Sequence, residues 1–333
     1  MRAIQITETG GPDVLRLTEL PDLEPGPGQL LVEVAAAGVN YVDTYQRSGA
    51  YPMALPFVPG LEGAGTVTVL GPPDSADVGG ADVEGFTVGD RVAWASCLGS
   101  YAEHAVVPAG QAVPVPPGID IQTAAGCLLQ GMTAHYLTVS VHAVQPGESV
   151  LVHAAAGGMG LLLTQMATAR GGRVIGTVST PEKEQLARQA GAAEVIRYTE
   201  IDDLAGEVRR LTGGEGVAVV YDGVGASTFD ASLGSLRPRG MLALYGAASG
   251  PVPPVDPQRL NTAGSVFLTR PVLAHYVASR EELLWRAGQV FTSILDTSLR
   301  ITLGGRYPLT DATSAHQDLQ SRRSTGKLLL LPH

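Results

Sequence analysis

The sequence predicts an α/β protein in which a doubly wound parallel sheet accompanies a smaller, mostly β domain. Two observations carry this prediction. Beyond residue 150, apolar segments of strand length alternate with helical patterns, which is typical of a parallel sheet covered by helices. Over the first ~120 residues, short β-rich runs are instead broken by glycine and proline, which indicates a β domain of different character.

The N-terminal elements are short and separated by turns. Residues 71–89 are rich in Gly, Asp and Pro and are predicted to form an exposed loop. A helical pattern over residues 123–141 follows the β domain. The predicted N-terminal strands are 30–35, 63–70, 91–94 and 101–107.

Residues 150–160, VLVHAAAGGMG, are the most informative stretch, because an apolar run of strand length meets a turn of small residues there. An apolar helical pattern follows over 161–169. Such a turn lets the backbone approach a pyrophosphate, which main-chain N–H groups and the helix N-terminus then bind. Gly157 and Gly160 match the G-x-G-x-x-G spacing, whereas Ala155 replaces the first glycine. The stretch predicts a dinucleotide site, with a purely structural tight turn as the alternative.

The alternation after this turn supports the dinucleotide interpretation. Further along, the Pro-rich stretch 251–257 interrupts the pattern, and the tail 301–332 has β character at both ends with a helix between. The predicted strands are 173–179, 194–198, 217–222, 241–245 and 265–269, and the predicted helices are 181–190, 204–211, 229–236 and 280–295.

Composition excludes several classes of protein. The net charge of −10 argues against nucleic acid or an anionic membrane as the main partner. No apolar stretch approaches membrane-spanning length, and the first residues lack the apolar core of a signal peptide. The two cysteines, Cys97 and Cys127, provide neither a disulfide framework nor a tetracysteine metal site. We therefore expect a cytoplasmic protein.

Several ordered motifs together resemble one family, and the similarity covers essentially the whole chain. It is the quinone oxidoreductase, or zeta-crystallin-like, family of zinc-independent members of the medium-chain dehydrogenase/reductase superfamily. The motifs are GGPDVL at 10–15, GVNYVDTY at 38–45, RSG at 47–49, PGLEGAG at 59–65, GDRV at 89–92, HAAAGGMG at 153–160, VYDGVG at 220–225 and LTRP at 268–271.

The resemblance implies a GroES-like β domain and a Rossmann domain, with the active site in the cleft between them. It places the GroES-like catalytic domain at 1–123 and 271–333 and the Rossmann dinucleotide-binding domain at 124–270. Similar enzymes form homodimers through edge strands of the Rossmann sheets, and 265–269 is the candidate strand here.

No metal is expected. The zinc-dependent relatives usually carry Cys where Asn40 stands and His where Leu61 stands, and neither replacement can be a zinc ligand of the same kind. Those relatives also carry a four-cysteine lobe after the segment that matches 89–92, where this chain has only Cys97.

The second predicted strand of the dinucleotide unit ends at Ser179 and Thr180, without the acidic residue that binds the ribose 2′-OH of NAD. Hydroxyl groups there and the ammonium of Lys183 could instead bind the 2′-phosphate of NADPH. The alternative for Lys183 is a solvated helix residue. The resemblance adds Tyr198 and Arg322 around the 2′-phosphate, so NADPH is the predicted cofactor.

The resemblance also carries over the remaining cofactor contacts. For two of them, Phe267 and Leu268, packing in the core or at a subunit interface is the alternative. The implied contacts are Asn40, Thr133, Gly157, Gly158, Met159, Gly246, Phe267, Leu268 and Thr269.

The implied reaction is hydride transfer from NADPH to a quinone, with Asn40, Tyr45 and Tyr51 as the catalytic candidates. The two tyrosines could instead form aromatic walls, and Asp43 is expected to orient its neighbours. His153 is expected to be structural. The alternatives for function are an NADPH-dependent enone or enoyl reductase and, in a different class, a non-enzymatic NADPH- or RNA-binding crystallin-like protein. The acidic charge weighs against RNA.

Overall fold

A computed structural model describes residues 1–72, 83, 85–321 and 324–333. The chain divides into two compact units. The first comprises Met1–Gln130, Val277–Asp296 and Ile301–His333, and the second comprises Gly131–Tyr276 and Thr297–Arg300. The domain boundaries expected from the sequence stay predictions, and most of the expected loop at 71–89 lies outside the described residues.

The N-terminal part is mostly β, as predicted. The longest of its strands alternates buried Leu30, Val32 and Val34 with more accessible neighbours, so one face packs on the core. The elements are β1 (Arg2–Gln5), β2 (Arg16–Glu19), β3 (Gln29–Val39), α1 (Tyr41–Ser48), β4 (Glu62–Leu70), β5 (Arg91–Trp94), β6 (His104–Pro108) and β7 (Val113–Pro114).

The second unit is a doubly wound α/β structure, which confirms the prediction. Its six strands, among the residues described, pair in parallel in the order β10-β9-β8-β11-β12-β13. The last strand is shorter than the predicted 265–269. In chain order the elements from the entry helix onward are α2 (Ile121–Tyr136), β8 (Ser149–Val152), α3 (Gly158–Ala169), β9 (Arg173–Val178), α4 (Pro181–Gln189), β10 (Glu194–Arg197), α5 (Leu204–Leu211), β11 (Val217–Asp222), α6 (Phe229–Ser235), β12 (Leu236–Leu244), α7 (Gln258–Thr262) and β13 (Phe267–Thr269).

The C-terminal segment completes the first unit. It adds α8 (Arg280–Leu295), β14 (Leu303–Pro308), α9 (Ala312–Gln320) and β15 (Lys327–Leu331). Strand β15 pairs antiparallel with β3, so the tail extends the N-terminal sheet to the order β14-β15-β3-β4-β5-β7, with β6 also on β3. This return of the chain brings residues near 327 beside residues near 40.

Two observations concern the described residues as a whole. None of their helices combines the length and the apolar character that crossing a bilayer requires. Cys97 and Cys127 are both buried free thiols.

Candidate active site

The turn after β8 has the close contacts expected of a dinucleotide site. Ala154 adopts a left-handed conformation with φ of 49°, and its carbonyl oxygen accepts the Gly157 N–H at 2.9 Å. A Cβ atom at Gly160 would lie 2.2 Å from that same carbonyl oxygen. Only glycine at this position therefore lets α3 begin so close to the turn.

The departure at Ala155 from the usual glycine is compensated on the neighbouring strand. Ala155 is fully buried, and a Cβ atom at Gly176 on β9 would lie 2.8 Å from the Ala155 Cβ. The space that the motif usually obtains at its first position is thus provided by Gly176. The Ala155 N–H donates to the Thr177 carbonyl at 3.0 Å, which fixes the turn against β9.

A second glycine turn follows β11. The buried Asp222 carboxylate accepts the N–H groups of Val224 at 2.8 Å and Gly225 at 3.0 Å. A Cβ atom at Gly246 would lie 2.4 Å from the Gly223 carbonyl oxygen. The ends of β11 and β12 therefore approach closely. Gly246, a predicted cofactor contact, and Gly223 are the two glycines that permit this approach.

The predicted 2′-phosphate residues cluster at the ends of β9 and β10. Thr180 is the N-cap of α4, and its hydroxyl oxygen accepts the Lys183 N–H at 3.3 Å. The Lys183 ammonium lies 3.5 Å from the Ser179 hydroxyl oxygen. The Thr199 hydroxyl donates to the Ser179 carbonyl at 3.2 Å, and its neighbour Tyr198 is exposed. The structure therefore brings four of the five residues, Ser179, Thr180, Lys183 and Tyr198, together at the carboxyl ends of β9 and β10. The fifth, Arg322, lies outside the described residues.

The acidic residues of the same helix turn have partners of their own. A hydrogen bond from the Thr180 side chain lowers the pKa of the Glu182 carboxyl. The Glu184 carboxylate forms ion pairs with Arg188 at 2.9 Å and with Arg197 at 3.3 Å. The negative charge of Glu184 is thereby largely compensated beside Lys183.

The other expected cofactor contacts of the second unit differ in exposure. Thr133 on α2 is 8% exposed. Gly157, Gly158 and Met159 form the start of α3. On β13, Phe267 is 58% exposed, which disagrees with packing in the core of this unit. These assignments as cofactor contacts stay predictions.

In the first unit, Asn40 belongs to a buried ionic cluster. Its amide oxygen accepts from the Lys327 ammonium at 2.6 Å, and its amide nitrogen donates to Glu62 at 2.9 Å and to the Gly38 carbonyl at 3.2 Å. Asn40 is 2% exposed. Because these protein partners occupy its amide group, the geometry favours an orienting role for Asn40 over donation to a substrate oxygen.

Tyr45 and Tyr51 are in contact, as ring centroids 5.2 Å apart and tilted by 52°. Tyr41 extends the cluster at 5.6 Å from Tyr45. Tyr51 is 44% exposed. The arrangement fits the aromatic-wall interpretation of the two catalytic candidates, since stacked or tilted rings offer an apolar face to a flat molecule.

Asp43 orients its neighbours, as expected. Its Oδ2 accepts the Asn40 N–H at 2.8 Å and the Tyr101 hydroxyl at 2.8 Å. Burial raises the pKa of Asp43 to about 6, against the lowering effect of those two hydrogen bonds.

His316 contacts the same tyrosine. Burial and the nearby Arg47 lower the pKa of His316 to about 3, so this imidazole is neutral. The His316 Nε2 lies 3.1 Å from the Tyr101 hydroxyl oxygen.

Sequence reasoning did not assign Glu62, Lys327 or His316 to the site. Lys327 opens an otherwise apolar strand, Lys327–Leu331, and is 2% exposed. A lysine at the start of an apolar strand is a signal, although charged residues at strand ends are usually solvated.

Throughout the described ranges, no group of three or more His, Cys, Asp and Glu side chains could hold a metal ion. The absence of a metal from the working protein stays a prediction.

Two family models match the chain. Residues 26–117 match the alcohol dehydrogenase GroES-like domain, and residues 158–282 match the model described as zinc-binding dehydrogenase.

Known proteins resemble the chain over its whole length. It is 43% identical over 333 residues to the quinone oxidoreductase of Pseudomonas aeruginosa, with 99% of each chain covered. It is 41% identical over 340 residues to the 2-haloacrylate reductase of a Burkholderia species, with 99% of this chain and 98% of the relative covered. A mycobacterial protein solved in complex with NADPH is 56% identical, with a TM-score of 0.94 and 100% of both chains covered.

Proposed function

The chain belongs to the quinone oxidoreductase family of the medium-chain dehydrogenase/reductases, and from that premise we propose that it is an NADPH-dependent quinone reductase. The observation that carries the proposal is the glycine turn at 153–160, whose close contacts fit a dinucleotide, in a chain 43% identical to a quinone oxidoreductase.

The residues of this turn fit NADPH. Gly160 leaves the Ala154 carbonyl close to α3, and the N-terminus of α3 would direct main-chain N–H groups to a pyrophosphate bound at this turn. Ser179, Thr180, Lys183 and Tyr198 would hold the 2′-phosphate, and Arg322 is proposed as a further contact. For Thr180 this requires its hydroxyl to exchange the Glu182 carboxylate for phosphate.

The remaining cofactor contacts are proposals from the family. They are Asn40, Thr133, Gly157, Gly158, Met159, Gly246, Phe267, Leu268 and Thr269.

When bound, NADPH supplies the hydride from its nicotinamide ring. The chain's own contribution is to bind, to orient and to exclude water. Asp222 fixes the loop beside Gly246 through two backbone N–H groups. We propose that Tyr45 and Tyr51 provide the apolar wall for a flat acceptor, and that Asn40, fixed by Lys327 and Glu62, orients the start of α1.

A quinone suits such a site because the charge of its reduced form spreads over the ring and both oxygen atoms. It therefore needs little hydrogen bonding from the protein, in contrast to an isolated ketone. The hydride supplies one hydrogen and both electrons, so a single proton, which can come from water, completes the hydroquinone. None of the proposed wall residues has to act as an acid.

The test is an assay of purified protein for loss of NADPH absorbance with a naphthoquinone or with 2-chloroacrylate as acceptor. Turnover of the quinone with little of the acrylate supports the proposal. Binding of NADPH without quinone turnover overturns it. The variant Tyr51→Phe is the matched control for the wall role: it keeps the ring and loses the hydroxyl, so turnover of the quinone should stay within about threefold of wild type, which is under 1 kcal/mol.

The second candidate is an NADPH-dependent reductase of conjugated carbonyl compounds. Its support is the 41% identity to a 2-haloacrylate reductase over nearly the whole chain. Both reactions place an electron-poor, flat acceptor against the hydride donor. In the same assay, turnover of the acrylate without the quinone would replace the first candidate by the second.

We further propose a homodimer formed through β13. This strand ends the parallel sheet and carries Phe267 at 58% exposure, a feature that pairing with a second copy would cover. The variant Phe267→Lys should convert the dimer to monomers in light scattering. The control Leu17→Lys, at an apolar position of 42% exposure on β2, should leave the dimer intact. A wild-type monomer would refute the proposal.

A cytoplasmic location is proposed on the state of the two cysteines. Both are buried free thiols, which suits a reducing compartment.

A further inference from the structure

A line of buried polar side chains connects Asp222 to the cofactor turn. The His153 Nε2 lies 2.9 Å from the Ser232 hydroxyl oxygen, which itself donates to Asp222 at 2.7 Å. The His153 Nδ1 lies 3.1 Å from the Thr177 hydroxyl oxygen. That oxygen accepts the Ala154 N–H at 3.3 Å. His153, Thr177, Ser232 and Asp222 are each at most 2% exposed.

The direction of every hydrogen bond in this line is fixed by proton count. Ser232 donates its single hydroxyl hydrogen in a hydrogen bond to the Asp222 carboxylate, so its oxygen can only accept a hydrogen bond from His153. The Nε2 of His153 therefore carries the hydrogen. Burial lowers the pKa of His153 and keeps the ring neutral, so its Nδ1 is then an acceptor and the Thr177 hydroxyl must donate to it.

Because the Thr177 hydroxyl uses its hydrogen to donate to His153, its oxygen can only act as an acceptor toward Ala154. It accepts the Ala154 N–H. Ala154 is the residue with φ of 49°, a conformation that a non-glycine residue seldom adopts. Its carbonyl oxygen accepts the Gly157 N–H and occupies the space where a side chain at position 160 would otherwise lie. The last link of the line thus acts on the residue that shapes the turn.

We propose that His153 is a positioning residue for cofactor binding, which as the neutral Nε2–H tautomer orients Thr177 to hold Ala154 in its left-handed conformation. The inference rests on the proposed function, because it needs the pyrophosphate to lie at this turn. Burial lowers the pKa of His153, so the imidazole stays neutral although Asp222 opposes that shift.

Two substitutions separate the two ends of the imidazole. In His153→Asn the amide oxygen takes the place of Nδ1 and still accepts from Thr177, whereas the bond to Ser232 is lost. In His153→Gln the amide nitrogen takes the place of Nε2 and still donates to Ser232, whereas Thr177 loses its acceptor. Each variant removes one buried hydrogen bond, so both should lose similar stability.

Affinity for NADPH should distinguish them. We expect His153→Gln and Thr177→Val to weaken NADPH binding about tenfold, and His153→Asn to stay within about threefold of wild type. Adenosine 2′-phosphate, which lacks the pyrophosphate, should bind all variants equally. Equal NADPH affinity in His153→Asn and His153→Gln would overturn the proposal and leave His153 a purely structural residue.

The tautomer is tested without any ligand. In protein labelled with nitrogen-15 at histidine, the signals lost in His153→Gln should belong to a neutral ring with a protonated Nε2 and a bare Nδ1. A proton on Nδ1, or a charged ring at neutral pH, would overturn the assignment.

One variant separates this inference from the function on which it rests. Gly158→Asp places a carboxylate at the first residue of α3 and should abolish NADPH binding. If Gly158→Asp binds NADPH as wild type does, the pyrophosphate does not lie at the turn and the assignment of the turn fails. If Gly158→Asp loses binding while His153→Gln keeps it, the positioning role alone fails.

Discussion

The Lys327 ammonium lies 2.6 Å from the Glu62 carboxylate, and the exposed fraction of each side chain is at most 2%. Glu62 also accepts the Leu129 N–H at 2.8 Å, and Lys327 also donates to the Asn40 amide oxygen at 2.6 Å. The ion pair therefore joins β4 and β15 to the start of α1, and the position of Asn40 depends on it.

Removing both members of this pair should cost much less than the sum of the costs of removing each one alone. Lys327→Met leaves a buried carboxylate without its counter-ion, and Glu62→Gln leaves a buried ammonium, so each should lower the free energy of unfolding by about 3–5 kcal/mol. The double variant has no buried charge from this pair, and the amide oxygen that replaces the Glu62 carboxylate can still accept the Leu129 N–H. Its loss should be well below the sum of the single losses, as measured by urea unfolding of all four proteins.

Simple additivity of the two single losses would contradict this account, since it would mean that the charges are not coupled. Leu17→Met, an exposed position on β2, serves as the control and should change the unfolding free energy by less than about 0.5 kcal/mol.

Asp43 should make the stability of the protein depend on pH in a defined window. Its pKa is raised from 3.8 to about 6 by burial, so the folded state favours the protonated carboxyl. The stabilisation that this provides is complete below pH of about 4 and is lost as the pH rises through about 6. Asp43→Asn should therefore gain stability relative to wild type between these values, in thermal unfolding measured at each pH.

The difference between the two proteins is the relevant quantity, because His316 acts in the opposite direction. Its pKa is lowered to about 3, so the stability from its neutral form is present above pH of about 6.5 and is lost as the pH falls toward 3. Both proteins contain His316, and its effect largely cancels in the comparison. A difference that stays constant from pH 4 to 7 would contradict the raised pKa of Asp43.

The elements that sequence reasoning predicted are those whose signal is local. The glycine turn at 153–160 and the strands around it follow from the spacing of small and apolar residues over a few positions. The Lys327 cluster left no local signal beyond the lysine itself, because its partners are distant: Lys327 is 287 positions from Asn40 and 265 from Glu62. Only the pairing of β15 with β3 brings them together.

The interpretation of Asn40 shows the same limit. From the sequence it is a polar residue in a family motif and a candidate hydrogen-bond donor. The structure shows that Glu62 and Gly38 already accept from its amide nitrogen, a fact that depends on one residue two positions away and another twenty-two away. A motif indicates which residue occupies a site, but the partners that occupy its polar atoms come from the fold.

The contact between Ala155 and Gly176 should be reciprocal. Gly176→Ala would place a new Cβ 2.8 Å from the Ala155 Cβ, and the resulting overpacking should destabilise the protein by about 1–3 kcal/mol. Ala155→Gly in the same chain removes the opposing methyl group and should restore most of the lost free energy of unfolding, as measured in urea.

Gly288→Ala on α8 is the control. An added Cβ there meets nothing within 4 Å, so the substitution should stabilise the helix by about 0.5–1 kcal/mol. A double variant no more stable than Gly176→Ala would refute the compensation.

Lys183→Glu should change cofactor choice without harming the fold. Lys183 is the third residue of α4, after the N-cap Thr180, and a glutamate there completes a capping box while matching the positive end of the helix. Stability should therefore stay the same or rise by about 0.3–1 kcal/mol. The same carboxylate would repel a 2′-phosphate, so NADPH should bind roughly tenfold or more weakly while NADH changes by less than about twofold. Fluorescence titration with each cofactor at low ionic strength measures both affinities.

Arg188→Glu, the same charge change farther along α4, is the control and should leave the ratio of the two affinities unchanged. An equal loss of NADPH binding in both variants would mean that overall charge, and not a 2′-phosphate site at Lys183, sets the preference.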